Sequence, residues 1–104
     1  MNTIKENKVA EILSAISHPN RIRILNVIKQ ENTLCGCEML PMLGLEQSNL
    51  SRHLSTLVKA GVLFAWKDGV RMNYKIADER IFDLINLAEK IVLAKSMNIK
   101  SEVA

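Results

Sequence analysis

Cys35 and Cys37, two positions apart with Gly36 between them, are the side chains of this 104-residue chain best suited to chemistry. Thiolates are soft ligands for thiophilic ions. Both cysteines fall where a short helix should start, and a helix N-terminus lowers a thiol pKa and favours the thiolate. In a regular helix, side chains two residues apart point roughly 200° from each other. Two sulfurs so placed grip one ion only if the first turn unwinds, and Gly36 makes that unwinding cheap. Thiol occupancy would therefore deform this helix. Reduced thiols are expected, because the N-terminus has no signal-peptide core and a disulfide over so short a spacing would be strained. The structural alternative is two small residues filling core space.

A second constellation follows at Gln47-Ser48-Asn49-Leu50-Ser51-Arg52-His53-Leu54. With Leu50, Leu54 and Leu57 buried, Ser48, Asn49, Arg52, His53 and Thr56 are expected to project outward. Gln47, Ser48 and Asn49 suit base edges near a helix start, and Arg52 suits guanine or phosphate. Ser51 and His53 are natural phosphate donors. Lys67 and Arg71, near the tip of a hairpin, would straddle a neighbouring groove or backbone. Each has a plainer alternative: Gln47 or Ser48 as a helix cap, Arg52 as the partner of a glutamate, His53 as a surface bystander. The charge supports a nucleic-acid face. The net +3 divides into zero over residues 1–46, +4 over 47–75 and −1 over 76–104. All the positive excess thus lies in the fourth helix and hairpin, the footprint of a phosphate-binding surface.

These residues need elements to position them. Val9, Ile12, Leu13 and Ile16 recur at helical spacing and predict a helix over about 5–17. Pro19 suits a first helical position, so a second helix spans about 19–31, burying Ile22, Leu25 and Ile28 with Ile24. Asn32-Thr33 ends it. A third covers about 37–43 with Met39, Leu40 and Leu43 inward, and Gly44 fits the left-handed position that stops a helix. A fourth runs about 47–60 and closes at Gly61. Residues 62–67 and 70–76 read as strands joined at Asp68-Gly69, a strong hairpin signal. A last helix covers about 78–97. Its apolar stripe of Ile81, Leu84, Ile85, Ala88, Ile91 and Val92, widened by Phe82, Leu87, Leu93 and Met97, is broad enough to face both the core and a second subunit. The fold class expected is mainly α with a small β-hairpin, a winged helix-turn-helix in the order α-α-α-α-β-β-α. Its helix-turn-helix lies at about 37–60 and its wing at about 62–76, and it dimerises through the first and last helices. Residues 1–104 form one domain.

Leu34-Cys35-Gly36-Cys37-Glu38-Met39 resembles the Leu-Cys-Val-Cys-Asp-Leu metal box of the arsenic-repressor (ArsR/SmtB) family. Gln47 to Leu54, with Ser51-Arg52-His53-Leu54 at its centre, is similar to that family's recognition helix. His18-Pro19-Asn20-Arg21 echoes its Asp-Pro-x-Arg start to the second helix. The likeness covers about residues 9–92. It implies a homodimeric repressor that binds an inverted-repeat operator in double-stranded DNA without any cofactor and leaves when metal binds. In the arsenic and antimony branch, the cysteines that Cys35 and Cys37 match take As(III) or Sb(III). The chain departs from the pattern at Leu40, where that branch often has a third cysteine. A small thiol or a hydroxide would complete the site. No cysteine precedes Cys35, which removes the cadmium/lead type of site. The last helix has Asp83 and Glu89 but no histidine, which disfavours the zinc type.

The reading that results is a cytoplasmic metalloid-responsive repressor with no membrane partner. The alternatives are a repressor of the same fold whose thiols sense oxidants, reactive sulfur or mercury, and a winged-helix protein-interaction module. Catalysis is not expected. His18 and His53 lie in different elements without an obvious carboxylate partner, and no glycine loop is built to cradle phosphate.

Overall fold

The structure, a computed structural model, describes residues 3–103. Its elements are α1 (Thr3–Ala15), α2 (Pro19–Glu31), β1 (Leu34–Cys35), α3 (Gly36–Leu43), α4 (Gln47–Lys59), β2 (Leu63–Asp68), β3 (Arg71–Ile76) and α5 (Ile81–Val103). Mainly helical, with one small antiparallel sheet, this is the winged helix-turn-helix expected from the sequence.

Local chemistry accounts for most of the boundaries. His18 caps α2 by accepting the Asn20 N–H on its Nδ1, and Pro19 takes the first helical position. Asn32 ends α2 at φ 68°. Gly44 ends α3 at φ 65° while its N–H reaches the Leu40 carbonyl. The first helix stops at Ala15 rather than residue 17, because Ser17 turns the chain back onto the Ser14 carbonyl through both its N–H and its hydroxyl. The last helix starts at Ile81 rather than 78. There the Asp78 carboxylate binds the backbone N–H and guanidinium of Arg80 and shapes a preceding turn.

The sheet holds a strand that the sequence reading lacks. β1 is two residues long and pairs with β3, Leu34 opposite Tyr74 and Cys35 opposite Asn73, so the order is β1-β3-β2. Two residues carry no alternation to detect. The hairpin turn also sits one position later than expected. Asp68 pairs with Arg71, which leaves Gly69 and Val70 as the loop, with Gly69 at φ 64°. Glycine at the first loop position matches the type II′ pattern.

Ile24, Leu25 and Ile28 of α2, Met39 and Leu43 of α3, and Leu50, Leu54 and Leu57 of α4 pack with Leu34, Val62, Leu63, Ile81, Phe82 and Ile85 into one core. Val9 and Leu13 of α1 lie outside it, as do Leu87, Ile91, Val92, Leu93 and Met97 of α5. Leu13, Ile16, Ile22, Leu84, Ile85 and Val92 line an open apolar cleft between α1 and α5. Among the described residues, no helix is long and apolar enough to cross a membrane.

Candidate nucleic-acid interface and thiol site

Helix α4 divides by face. Leu50, Leu54 and Leu57 are buried, while Gln47, Ser48, Ser51 and Arg52 are exposed at its N-terminal half. Asn49 is half-buried, and its Oδ1 accepts from Arg52 Nη2 at 3.2 Å, which steadies the long arginine. Thr56 is half-buried too. Its hydroxyl donates to the Arg52 carbonyl, and it faces a crevice against α1 rather than open solvent.

The outward projection expected of His53 is corrected here. This residue is 3% exposed. Its Nδ1 accepts a hydrogen bond from Arg21 Nε at 3.1 Å, and its ring lies 4.5 Å from that of His18. Burial holds its pKa below the usual histidine range, with the His18, Arg21 and Arg52 charges acting in the same direction. A signal for this was present in the spacing. Leu50, His53, Leu54 and Leu57 stand at i, i+3, i+4 and i+7, so His53 occupies a position of the buried stripe.

The wing carries both of its expected cations, on opposite faces. Lys67 pairs with Met72 and Arg71 with Asp68, and neighbouring pairs along a ladder alternate sides. Lys67 is exposed. Arg71 instead reaches back to the start of α3, where its Nη2 lies 2.9 Å from Glu38 Oε1. The same oxygen accepts the Cys35 N–H at 2.9 Å.

That carboxylate belongs to the thiol site. Cys35 is the N-cap of α3, with extended backbone, and its Sγ accepts the Cys37 N–H at 3.2 Å. Glu38 closes the other half of a capping box in which cysteine replaces the usual serine or threonine. Cys35 and Cys37 are joined as a disulfide, their Cα atoms 5.2 Å apart. This differs from the expected pair of reduced thiols 200° apart, and the reason is local. Cys35 lies just outside the helix, so its extended backbone brings its sulfur to the side of Cys37 without any unwinding. Gly36 has no special conformation here. A β-carbon on it would meet Leu54 and Tyr74 at 3.8 Å, an ordinary contact. Sequence reasoning missed the Glu38 role, although its place three residues after the cap is the capping-box spacing.

Buried Cys35 and exposed Cys37 open on a groove of about 420 Å³ whose walls include Leu40, Gln47, Ser51, Arg71 and Tyr74. Burial raises the Tyr74 pKa. The groove thus touches the thiol pair, the start of α4 and the wing together. As donors, the two sulfurs suit a soft ion once reduced. Among the described residues, no group of three His, Cys, Asp or Glu side chains converges, so a third donor of those types does not join them.

Comparison with known proteins agrees with this geometry. Residues 18–63 match the family model described as bacterial regulatory protein, arsR family. An uncharacterized HTH-type transcriptional regulator of Methanocaldococcus jannaschii is 34% identical over 87 residues, covering 84% of this chain and 98% of that protein. The crystal structure of Rv0081 from Mycobacterium tuberculosis superposes with a TM-score of 0.75 at 39% identity, covering 100% of both chains. A probable mercury resistance operon repressor of Streptomyces lividans is 34% identical over 80 residues, 76% of this chain and 62% of that protein.

Proposed function

The chain belongs to the arsR family of bacterial regulatory proteins, and on that premise we propose that it is a homodimeric repressor that leaves its operator when As(III) or Sb(III) engages Cys35 and Cys37. As a winged helix-turn-helix member of that family, it is a DNA-binding transcriptional regulator. The proposal adds the signal, the residues and the assembly. We read residues 1–104 as a single unit of this kind.

In this reading Gln47, Ser48, Asn49, Ser51 and Arg52 approach the major groove, and Lys67 and Arg71 hold the flanking backbone. Thr56, whose hydroxyl is taken by the Arg52 carbonyl and which faces α1, supports the helix rather than contacting DNA. His53 serves from behind the helix, not at the DNA. The exposed apolar residues of α1 and α5 supply the dimer surface, since so many large apolar side chains on two neighbouring helices argue for a covering partner.

One observation carries the signalling route: Glu38 Oε1 holds both the Cys35 N–H and the Arg71 guanidinium. Cys35 caps α3 through its sulfur in the disulfide form, and a reduced Cys35 would keep that bond. A metalloid held between the two thiolates would force the sulfurs further apart than the disulfide does and so draw Cys35 Sγ off the Cys37 N–H. The capping box loosens, Glu38 shifts, and Arg71 loses the contact that orients the wing. Anisotropy of a labelled inverted-repeat duplex, titrated with arsenite under reducing conditions, tests this. Release near one equivalent, abolished by the double change C35S/C37S, is the expected result. A double variant that still releases with arsenite overturns it.

A second reading has its own observation in the disulfide between Cys35 and Cys37. Here the signal is an oxidant that couples the two thiols, or a thiophilic ion such as mercury that bridges them. Different DNA affinities for the oxidised and the fully reduced protein, with no response of the reduced protein to arsenite, select it.

A further inference from the structure

Behind the DNA-reading helix, three side chains tie three helices together, and the thiol route uses none of them. His53 of α4 is buried, and its Nδ1 accepts from Arg21 Nε at 3.1 Å. A ring nitrogen that accepts carries no proton, so this imidazole is neutral with its hydrogen on Nε2. The same guanidinium turns its Nη1 to the carbonyl of Ala15, the last residue of α1, at 3.3 Å. His18 caps α2 with its Nδ1 and lays its ring against His53, tilted by 51°. One arginine therefore spans from the end of α1, through the start of α2, to the middle of α4.

We infer that Arg21 and His53 are positioning residues for α4, and that proton uptake by His53 releases the helix and weakens DNA binding. The inference rests on α4 being the DNA-reading helix and is independent of what the cysteines sense. A proton taken from solvent by Nδ1 turns an acceptor into a donor that faces another donor. It also sets an imidazolium against a guanidinium at hydrogen-bond distance. The groups bearing on His53 are His18 and Arg21 from α2 and Arg52 from its own helix, and each opposes the proton. From α1 the partner is the Ala15 carbonyl, which binds Arg21 rather than the imidazole. The folded, braced state therefore prefers neutral His53. Its advantage is complete above the ordinary histidine pKa of about 6.5 and is lost as pH falls below that value, because states with a freed His53 bind the proton more readily.

The direction is diagnostic. Protonating surface histidines adds positive charge and strengthens binding to a polyanion, whereas this brace predicts weakening. The probe is a fluorescein-labelled duplex selected from a randomised library at pH 7.5, and its affinity is measured from pH 7.5 to 5.5 at fixed salt. Circular dichroism at each pH reports that the fold persists. Failure to select any duplex, or affinity without salt dependence, rejects α4 as a DNA reader. With DNA binding established, affinity should fall by about tenfold for each unit by which release raises the His53 pKa. In H53Q the acid loss should disappear. Affinity that is level or tighter at pH 5.5 in the wild type overturns the inference. So does an acid loss that survives in H53Q.

Discussion

Glu38 is the residue through which the thiol site and the wing meet, and its two contacts differ in strength. Its bond to the Cys35 N–H is part of a helix cap, a class of interaction worth about 0.5–2 kcal/mol. Its pair with Arg71 is about half exposed on both sides, 52% and 47%. Water and salt screen such a pair to about 0–1 kcal/mol. A double-mutant cycle of E38A and R71A in urea should therefore return a coupling of no more than about 1 kcal/mol, while E38A alone costs more than R71A. A coupling above about 2 kcal/mol would mean that the pair is desolvated, as in a partner-covered state. The link is weak enough for ligand binding to break it, which a switch requires. Arg52 is a different case, exposed and, among the described residues, hydrogen-bonded through its guanidinium to Asn49. R52A should weaken DNA binding by about 1–3 kcal/mol if the arginine reads a base, with relaxed preference at one position. An equal loss on every sequence, with the salt slope reduced by about one, would assign it to phosphate.

Helix α4 is held in place by what ends its predecessor. The link Gly44-Leu45-Glu46 turns the chain between α3 and α4. Gly44 sits there at φ 65°, and a β-carbon added to it would meet nothing within 4 Å. A side chain at this position has room but the wrong backbone. G44A should cost about 1–2 kcal/mol, the left-handed penalty for an L-residue, with no cavity or clash to add to it. Thermal or urea unfolding measures this directly, and a loss above about 3 kcal/mol would require that the turn itself rearranges. The same reasoning separates the two residues of the hairpin loop. Gly69 makes the tight loop possible, while Val70 beside it is fully exposed and contributes nothing to the core. The wing is thus a two-stranded arm with a freely presented tip.

At the scale of the whole molecule, the chain buries one core and leaves a second apolar surface open. Leu13, Leu84 and Val92 are 47%, 41% and 62% exposed, around a cleft whose walls are α1 and α5. A homodimer would cover these residues and would place two α4 helices on one side of a twofold axis, as an inverted repeat demands. V92D should then convert a dimer to a monomer in sedimentation equilibrium and lower operator affinity, since each half-site would be held alone. The unfolding midpoint of the wild type should rise with protein concentration, and that of V92D should not. A V92D protein that sediments as the wild type does would place the interface elsewhere.

The sequence by itself determined what depends on neighbours in the chain. Pro19 and Asn32 bound α2, Gly44 ends α3, Gly69 permits the hairpin, and period-3.6 leucines orient α4 toward the core. Each is a preference of a few adjacent residues, so composition and spacing express it. The outward face of α4 was legible for the same reason, apart from His53 and Thr56, which turn toward neighbouring helices. Tertiary structure alone decided what joins distant segments. Glu38 meets Arg71 across 33 residues, His53 meets Arg21 across 32, and Leu34-Cys35 becomes a strand only because β3 lies alongside. The thiol pair shows the boundary between the two. Its spacing announced soft-ligand chemistry, but whether the sulfurs diverge or meet depended on Cys35 being drawn out of the helix into that strand. Pairing of backbone groups with a remote partner fixes this, and no local periodicity encodes it.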